Sequence, residues 1–167
     1  MKPKIMYLCI QFLIFGLVLT SCYRSTPPDL VAVQDRFDNN FDAIQEVIDF
    51  MKNSEHRNIY ITESDGTMNA DLYEISITDP SVVDAINQLL ESKNYYKICK
   101  IDNTIYLLQW KGLHDIGCGI AYTINETDPP EIPYATTLLP LACDGWFYYV
   151  SDYELWKNNY PNLRTSG

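Results

Sequence analysis

The sequence is poor in basic residues and in histidine. Its 167 residues include 12 lysines and arginines, 22 aspartates and glutamates, and two histidines. Lys2 and Lys4 lie within residues 1–21 and every carboxylate lies after them, so residues 22–167 carry a formal charge of −12. Such an acidic surface repels nucleic-acid phosphates and anionic lipid head groups. We therefore expect no nucleic-acid partner.

The motifs of common cofactor and metal sites are also missing. The chain contains no GxGxxG fingerprint, no P-loop and no GxSxG elbow, and its cysteines and histidines form no closely spaced zinc pattern. The carboxylates are scattered, without the pairing that acid–base catalysis uses. We expect no cofactor and no metal, and the sequence leans towards a protein that is not an enzyme.

The most apolar stretch of the chain lies at its N-terminus. Lys2 and Lys4 precede the mostly apolar residues 5–19, and two small residues follow. A membrane-spanning helix needs about 20 apolar residues, which this stretch does not reach. The layout predicts a cleaved secretory signal over residues 1–21.

The end of this stretch, Leu19-Thr20-Ser21-Cys22, resembles the lipobox of bacterial lipoproteins. The resemblance implies that Cys22 receives a diacylglyceryl group, becomes the first residue after cleavage and is usually acylated on its new amino group. It implies attachment to the bacterial cell envelope by lipid on Cys22. Because Tyr23 follows instead of aspartate, the outer membrane is slightly favoured in a diderm, and otherwise the outer face of the cell membrane. An ordinary signal peptide with a chance cysteine is the alternative.

Residues 22–29 read as a tether, and residues 30–167 read as a single domain. The tether contains the stiff pair Pro27-Pro28 and spans at most about 26 Å when extended. A domain on such a tether stays close to its membrane.

Hydrophobic periodicity predicts an α+β fold. Apolar residues three and four apart over 29–53 predict one long N-terminal helix, and Asp79-Pro80 begins a second, crossover helix that ends near Ser92. A short final helix is predicted at 152–156. Alternating segments predict a mostly antiparallel sheet of about six strands, at 58–63, 73–77, 95–101, 105–110, 118–124 and 146–150. The proline-rich connection 125–144 is either functional or a cover over the sheet.

Three cysteines, Cys99, Cys118 and Cys143, follow the lipobox. At most one internal disulfide can join this odd number, and the sequence leaves its pairing open. Cys118 follows His114 in a glycine-containing turn, and a thiol near an imidazole is the raw material of a cysteine nucleophile. A thiol-dependent hydrolase or transferase that uses Cys118 and His114 is therefore one alternative function. The plainer interpretation is a turn that enters a strand.

Aromatic residues concentrate in the hairpin 95–110, whose tight Asp102-Asn103 turn places Ile101 opposite Thr104. Alternation places Tyr95, Tyr106 and Trp110 on one face, together with Lys97, and lysine is rarely fully buried. We expect part of this face to stay open beside the 125–144 connection and to contact an envelope partner. Burial under the chain's own connection is the alternative.

The sequence as a whole favours a lipid-anchored bacterial envelope protein that acts as a non-enzymatic binding or accessory module. A further alternative is an immunity-type lipoprotein, whose acidity would complement a basic toxin. The segments Gly119-Ile120-Ala121-Tyr122 and Trp146-Phe147-Tyr148-Tyr149 loosely resemble the last strands of small uncharacterised bacterial lipoproteins. That resemblance implies no activity.

Overall fold

The computed structural model describes residues 27–112, 116–125 and 128–159. The predicted signal segment, Cys22 and His114 lie outside these residues. The described chain forms four helices and eight strands, in this order: α1 Leu30–Asn39, α2 Phe41–Asn53, β1 Asn58–Ile61, β2 Thr67–Ala70, β3 Tyr73–Ser76, α3 Pro80–Glu91, β4 Lys97–Ile101, β5 Thr104–Lys111, β6 Gly117–Thr123, β7 Ala135–Pro140, β8 Trp146–Ser151 and α4 Tyr153–Asn159. None of these helices is long and apolar enough to cross a bilayer.

All eight strands belong to one antiparallel sheet with the order β3-β2-β1-β4-β5-β6-β8-β7. Helices α1, α2 and α3 pack on one side of it, which we call the helix face. The main core lies there and includes Ile59, Ile98, Leu107, Ile120 and Tyr148. The predicted antiparallel α+β architecture is confirmed, whereas the prediction of about six strands was wrong.

The single long N-terminal helix was also a wrong prediction, because the helix breaks at Asn40. The Asn40 side-chain amide donates to the carbonyl of Arg36 (2.8 Å), while the Asn40 backbone N–H bonds Phe37 instead. The side chain thus takes the acceptor that the backbone N–H would use in a continuous α-helix. Its oxygen accepts from the amide of Asn94 (3.1 Å), which ties the break to the loop after α3.

The N-terminal end of the described chain is held at two points. The Asp29 carboxylate caps α1 by accepting from the N–H of Ala32 (2.9 Å). The Tyr148 hydroxyl donates to the carbonyl of Pro28 (3.0 Å). Pro28, which the sequence assigned to the tether, is therefore bonded to β8.

Two strands, β2 and β7, were absent from the sequence prediction. Segment Thr67–Ala70 carries one large apolar residue, Met68, and segment Ala135–Pro140 is rich in threonine and ends in proline. Neither shows a clear alternation; β2 pairs with β1 and β3, and β7 pairs with β8. Strand β3 consequently pairs with β2 and not with β1.

The hairpin of β4 and β5 has the predicted register, with Ile101 opposite Thr104. The next pair, β5 and β6, contains a bulge: Leu108 lies opposite Gly119 and Trp110 opposite Cys118, so Gln109 is the extra residue. Strand β6 approaches β5 so closely here that a Cβ on Gly119 would overlap the carbonyl oxygen of Leu107. The bulge changes which side of the sheet the following residue faces.

The predicted crossover helix is confirmed as α3. Asp79 caps it by accepting from the N–H of Ser81, and Pro80 occupies its first turn. The helix carries the chain from the edge strand β3 past β2 and β1 to β4. The predicted final helix is confirmed as α4, slightly longer than expected.

Candidate functional site

The side of the sheet opposite the helices is crossed by residues 128–134, which we call the strap, and we call this side the strap face. At one end of the strap, the N–H of Glu131 donates to the Thr104 hydroxyl of β5 (3.0 Å). At the other end, the N–H of Asp152 donates to the carbonyl of Tyr134 (3.0 Å). Pro130 in its middle is buried. The strap is thus a fixed cover over part of the sheet.

Tyr134 ends the strap in a left-handed backbone conformation, with φ of 58°. Bulky residues adopt this conformation only when their surroundings hold them there. The rings of Tyr153 and Trp156 in α4 each pack edge-on against Tyr134, with centroids 5.0 Å apart. The last helix therefore fixes the C-terminal end of the strap.

Beneath the strap lies a second, smaller buried layer. Cys99, Ala121 and Tyr149 are at most 1% exposed and lie outside the helix-face core. Tyr106 packs edge-on against Tyr149, with ring centroids 6.0 Å apart. Both sides of the central strands are therefore covered, one by helices and one by the strap.

A cavity of about 650 Å³ flanks the strap at the turn between β4 and β5. Its polar lining is acidic and includes Asp102, Asp128 and Glu131. Asp102 is paired with Arg57. No basic side chain is among the described residues that line this cavity.

A second cavity of about 280 Å³ lies between the strap and strands β4, β5, β6 and β8. Two lysines line it, Lys97 and Lys111, and no carboxylate of the described chain does. The remaining lining is tyrosine, serine, glycine and apolar side chains, namely Tyr106, Leu108, Ile116, Gly117, Ile132, Pro133, Tyr134, Tyr149 and Ser151. We call this space the lysine cavity. It is a basic spot on an acidic protein.

The hydroxyls of Tyr106 and Tyr149 remain protonated at neutral pH. Burial raises the pKa of Tyr106 and of Tyr149 well above the ordinary tyrosine value. The Tyr149 hydroxyl has no hydrogen-bond partner among the residues that the structure describes. Lys97 is half-buried, with its ammonium 4.7 Å from the centroid of the Tyr60 ring. A cation–π contact of this kind orients the ammonium without neutralising it.

The aromatic residues predicted to share one face lie on two. Tyr95 is 1% exposed in the helix-face core, and its N–H bonds the carbonyl of Leu89 in α3. Trp110 is half-buried against the same core because the bulge at Gln109 turns it to the helix side. Tyr106 alone lies on the strap face. The prediction of one aromatic face was therefore wrong, while Tyr106 and Lys97 do lie together beside the 125–144 connection.

The cysteines lie apart from one another. All three described cysteines are free. Cys99 lies under the strap and Cys118 lies in the helix-face core, while β6 and β8 run antiparallel. Burial raises the pKa of Cys118 to about 12, whereas a nucleophilic thiol needs a lowered pKa. His114, its predicted partner, falls outside the described residues.

A third cavity, of about 640 Å³, lies between α2, α3 and β2. Its rim carries four carboxylates and its apolar lining includes Phe50, Met68 and Val82; the carboxylates belong to Glu46, Asp49, Glu55 and Asp79. We call it the acidic groove. In the parts of the chain that the structure describes, no three or more His, Cys, Asp and Glu side chains are grouped to hold a metal ion.

Sequence reasoning missed Tyr149, Lys111 and Tyr134 as parts of a site. Tyr149 stands in an unbroken aromatic run, so periodicity does not reveal which side it faces. No sequence motif includes Tyr134. The one available signal was Lys97, a charged residue within an otherwise apolar strand.

No protein-family model, curated protein or solved structure matches the chain.

Proposed function

We propose that this protein is a lipid-anchored binding protein of the bacterial cell envelope, without catalytic activity. The observation that carries the binding role is the lysine cavity, which combines two lysines, tyrosine side chains and apolar walls under a fixed strap. Pockets for small molecules typically combine apolar walls with a few polar groups in this way. The lipobox-like segment ending at Cys22 supports the envelope location.

The anchor is tested by mass spectrometry of the protein extracted from membranes. We expect the mature chain to begin at an acylated Cys22 and the Cys22→Ser variant to accumulate as precursor. Cys9→Ser is the matched control, because Cys9 lies inside the signal and its replacement leaves processing unchanged. A mature, water-soluble form without lipid would contradict the proposal.

The binding role is tested by photo-crosslinking in living cells. A photoreactive residue replacing Pro133, which is exposed at the edge of the lysine cavity, should give an adduct with an envelope component. The same residue at Leu72, which is 100% exposed in the turn between β2 and β3 at the other edge of the sheet, is the control for random collision. Equal adducts at both positions, or none at Pro133, would count against a binding site under the strap.

The acidic groove favours a second candidate, an immunity-type lipoprotein that holds a basic protein. Four carboxylates around an apolar floor complement a lysine- or arginine-rich surface. Association with a basic protein encoded beside this gene should weaken with added salt and with Glu46→Gln plus Asp49→Asn. Asp144→Asn, an exposed change outside the groove, is the control. If neither added salt nor the groove variants change the affinity, this candidate function is excluded.

A further inference from the structure

We propose that the lysine cavity binds a small organic carboxylate. The ligand's negative end pairs with Lys97 and Lys111, and its apolar body contacts Leu108 and the strap residues Ile132 and Pro133. This inference rests on the proposed binding function and names the class of its ligand.

The charge of the cavity selects an anion. The chain has 22 acidic residues, yet those that the structure describes leave this cavity free of carboxylates while two lysines line it. The salt bridges of the described residues involve neither lysine, and the Lys97 ammonium contacts two uncharged groups, the ring of Tyr60 and the Cys99 side chain. A bound anion would therefore meet cations that are not already neutralised.

The size and walls of the cavity limit the ligand to a small molecule with an apolar body. At about 280 Å³, the cavity lies at the lower end of the range of about 300–1,000 Å³ that pockets for small molecules span. Inorganic phosphate would leave the apolar wall of Leu108, Ile116 and Ile132 without contact.

The experiment titrates the full mature protein, in non-ionic detergent, with benzoate by isothermal calorimetry at pH 7. We expect benzoate to bind with Kd of about 1 mM or tighter. Lys97→Met and, separately, Lys111→Met should each weaken it by about tenfold, because a charged hydrogen bond is lost. Lys93→Met, at an exposed lysine outside the cavity, should leave Kd unchanged.

Two further probes define the ligand class. Benzamide, which is neutral and of similar shape, should bind at least tenfold more weakly than benzoate, and inorganic phosphate should not displace it. Three results would each overturn the proposal. They are equal affinity for benzamide and benzoate, displacement of benzoate by phosphate, and a Kd for benzoate weaker than about 10 mM. Such a failure leaves acylation at Cys22 untouched, so it is distinguishable from failure of the anchor.

Discussion

The ammonium of Lys100 donates a hydrogen bond to the carbonyl of Met51, 2.8 Å away, at the last turn of α2. It also donates to the carbonyl of Ser54 (2.9 Å) and is only 5% exposed. The C-terminal end of a helix carries partial negative charge and unpaired carbonyls, so a cation there is stabilising. A buried lysine of β4 thus caps α2 and joins the sheet to the helix layer.

Replacing this lysine should destabilise the fold. Lys100→Met keeps the aliphatic stem but removes the ammonium that donates to the Met51 and Ser54 carbonyls, and we expect a loss of about 1–3 kcal/mol in the free energy of unfolding. Urea denaturation followed by circular dichroism measures it. Lys93→Met, on the exposed surface, should change stability by less than about 0.5 kcal/mol. Equal effects of the two changes would show that the cap is unimportant.

Trp110 should behave as a core residue and not as a binding residue. Because the bulge turns its ring against the helix-face core, Trp110→Ala should cost about 2–4 kcal/mol and lower the melting temperature. Tyr96→Ala, whose ring is 53% exposed, is the matched control and should cost less than about 1 kcal/mol. An unchanged melting temperature for Trp110→Ala would revive its role in partner binding.

The three described thiols should differ in reactivity. Cys143 is half-buried, whereas Cys99 and Cys118 are buried and burial raises the pKa of both. With iodoacetamide at pH 7.5, Cys143 should be alkylated first, and the other two only as the fold opens. Peptide mass spectrometry resolves the sites, and labelling in urea should make the rates similar. Fast labelling of folded Cys118 would favour the thiol enzyme that His114 suggested.

Alkaline pH should destabilise the protein. Burial raises the pKa of Cys118 from 9.0, and that of Tyr148 from 10.0, to about 12 in the folded chain. A group with a raised folded pKa contributes stability that is fully present below its ordinary pKa and lost as pH rises through the folded pKa. The free energy of unfolding should therefore fall from pH 9 to 12. The lowered pKa of Lys100, also caused by burial, acts in the opposite direction.

Cys118→Ala isolates the thiol's share of this pH dependence. The variant should lose stability at pH 7 through packing, but its decline above pH 9 should be shallower by up to about 1.4 kcal/mol per pH unit. Ile120→Val, a packing change on the same strand without a titrating group, should keep the wild-type slope. Parallel curves for Cys118→Ala and the wild type would contradict a buried, protonated thiol.

Local sequence patterns predicted the elements whose partners are close in the chain. The cap at Asp79 and Pro80 located α3, and the turn at Asp102-Asn103 defined the register of β4 and β5. Both depend on backbone chemistry within a few residues. The strap was foreseen as a possible cover from the length and proline content of its connection.

The features that build the candidate site depend on distant contacts. The break at Asn40 needs Asn94, which lies 54 residues away. The bulge at Gln109 needs the close approach of Gly119, and it reverses the side on which Trp110 lies. Strict alternation along β5 therefore assigned Trp110 to the wrong face. Tyr149 joined the site only through the pairing of β8 with β6.

The hydrogen bond between Tyr148 and Pro28 also determines where mechanical force would enter the fold. In a chain held by lipid at Cys22, tension from the membrane passes along residues 23–27 and reaches Pro28 before any other described contact. Pro28 is attached to β8, an internal strand with β6 on one side and β7 on the other. Tension on Pro28 would break this one hydrogen bond, worth about 1 kcal/mol, and would then pass along the backbone into α1, which begins at Leu30. The first helix, and not the sheet, would therefore be the first element to unravel in a chain pulled from that end.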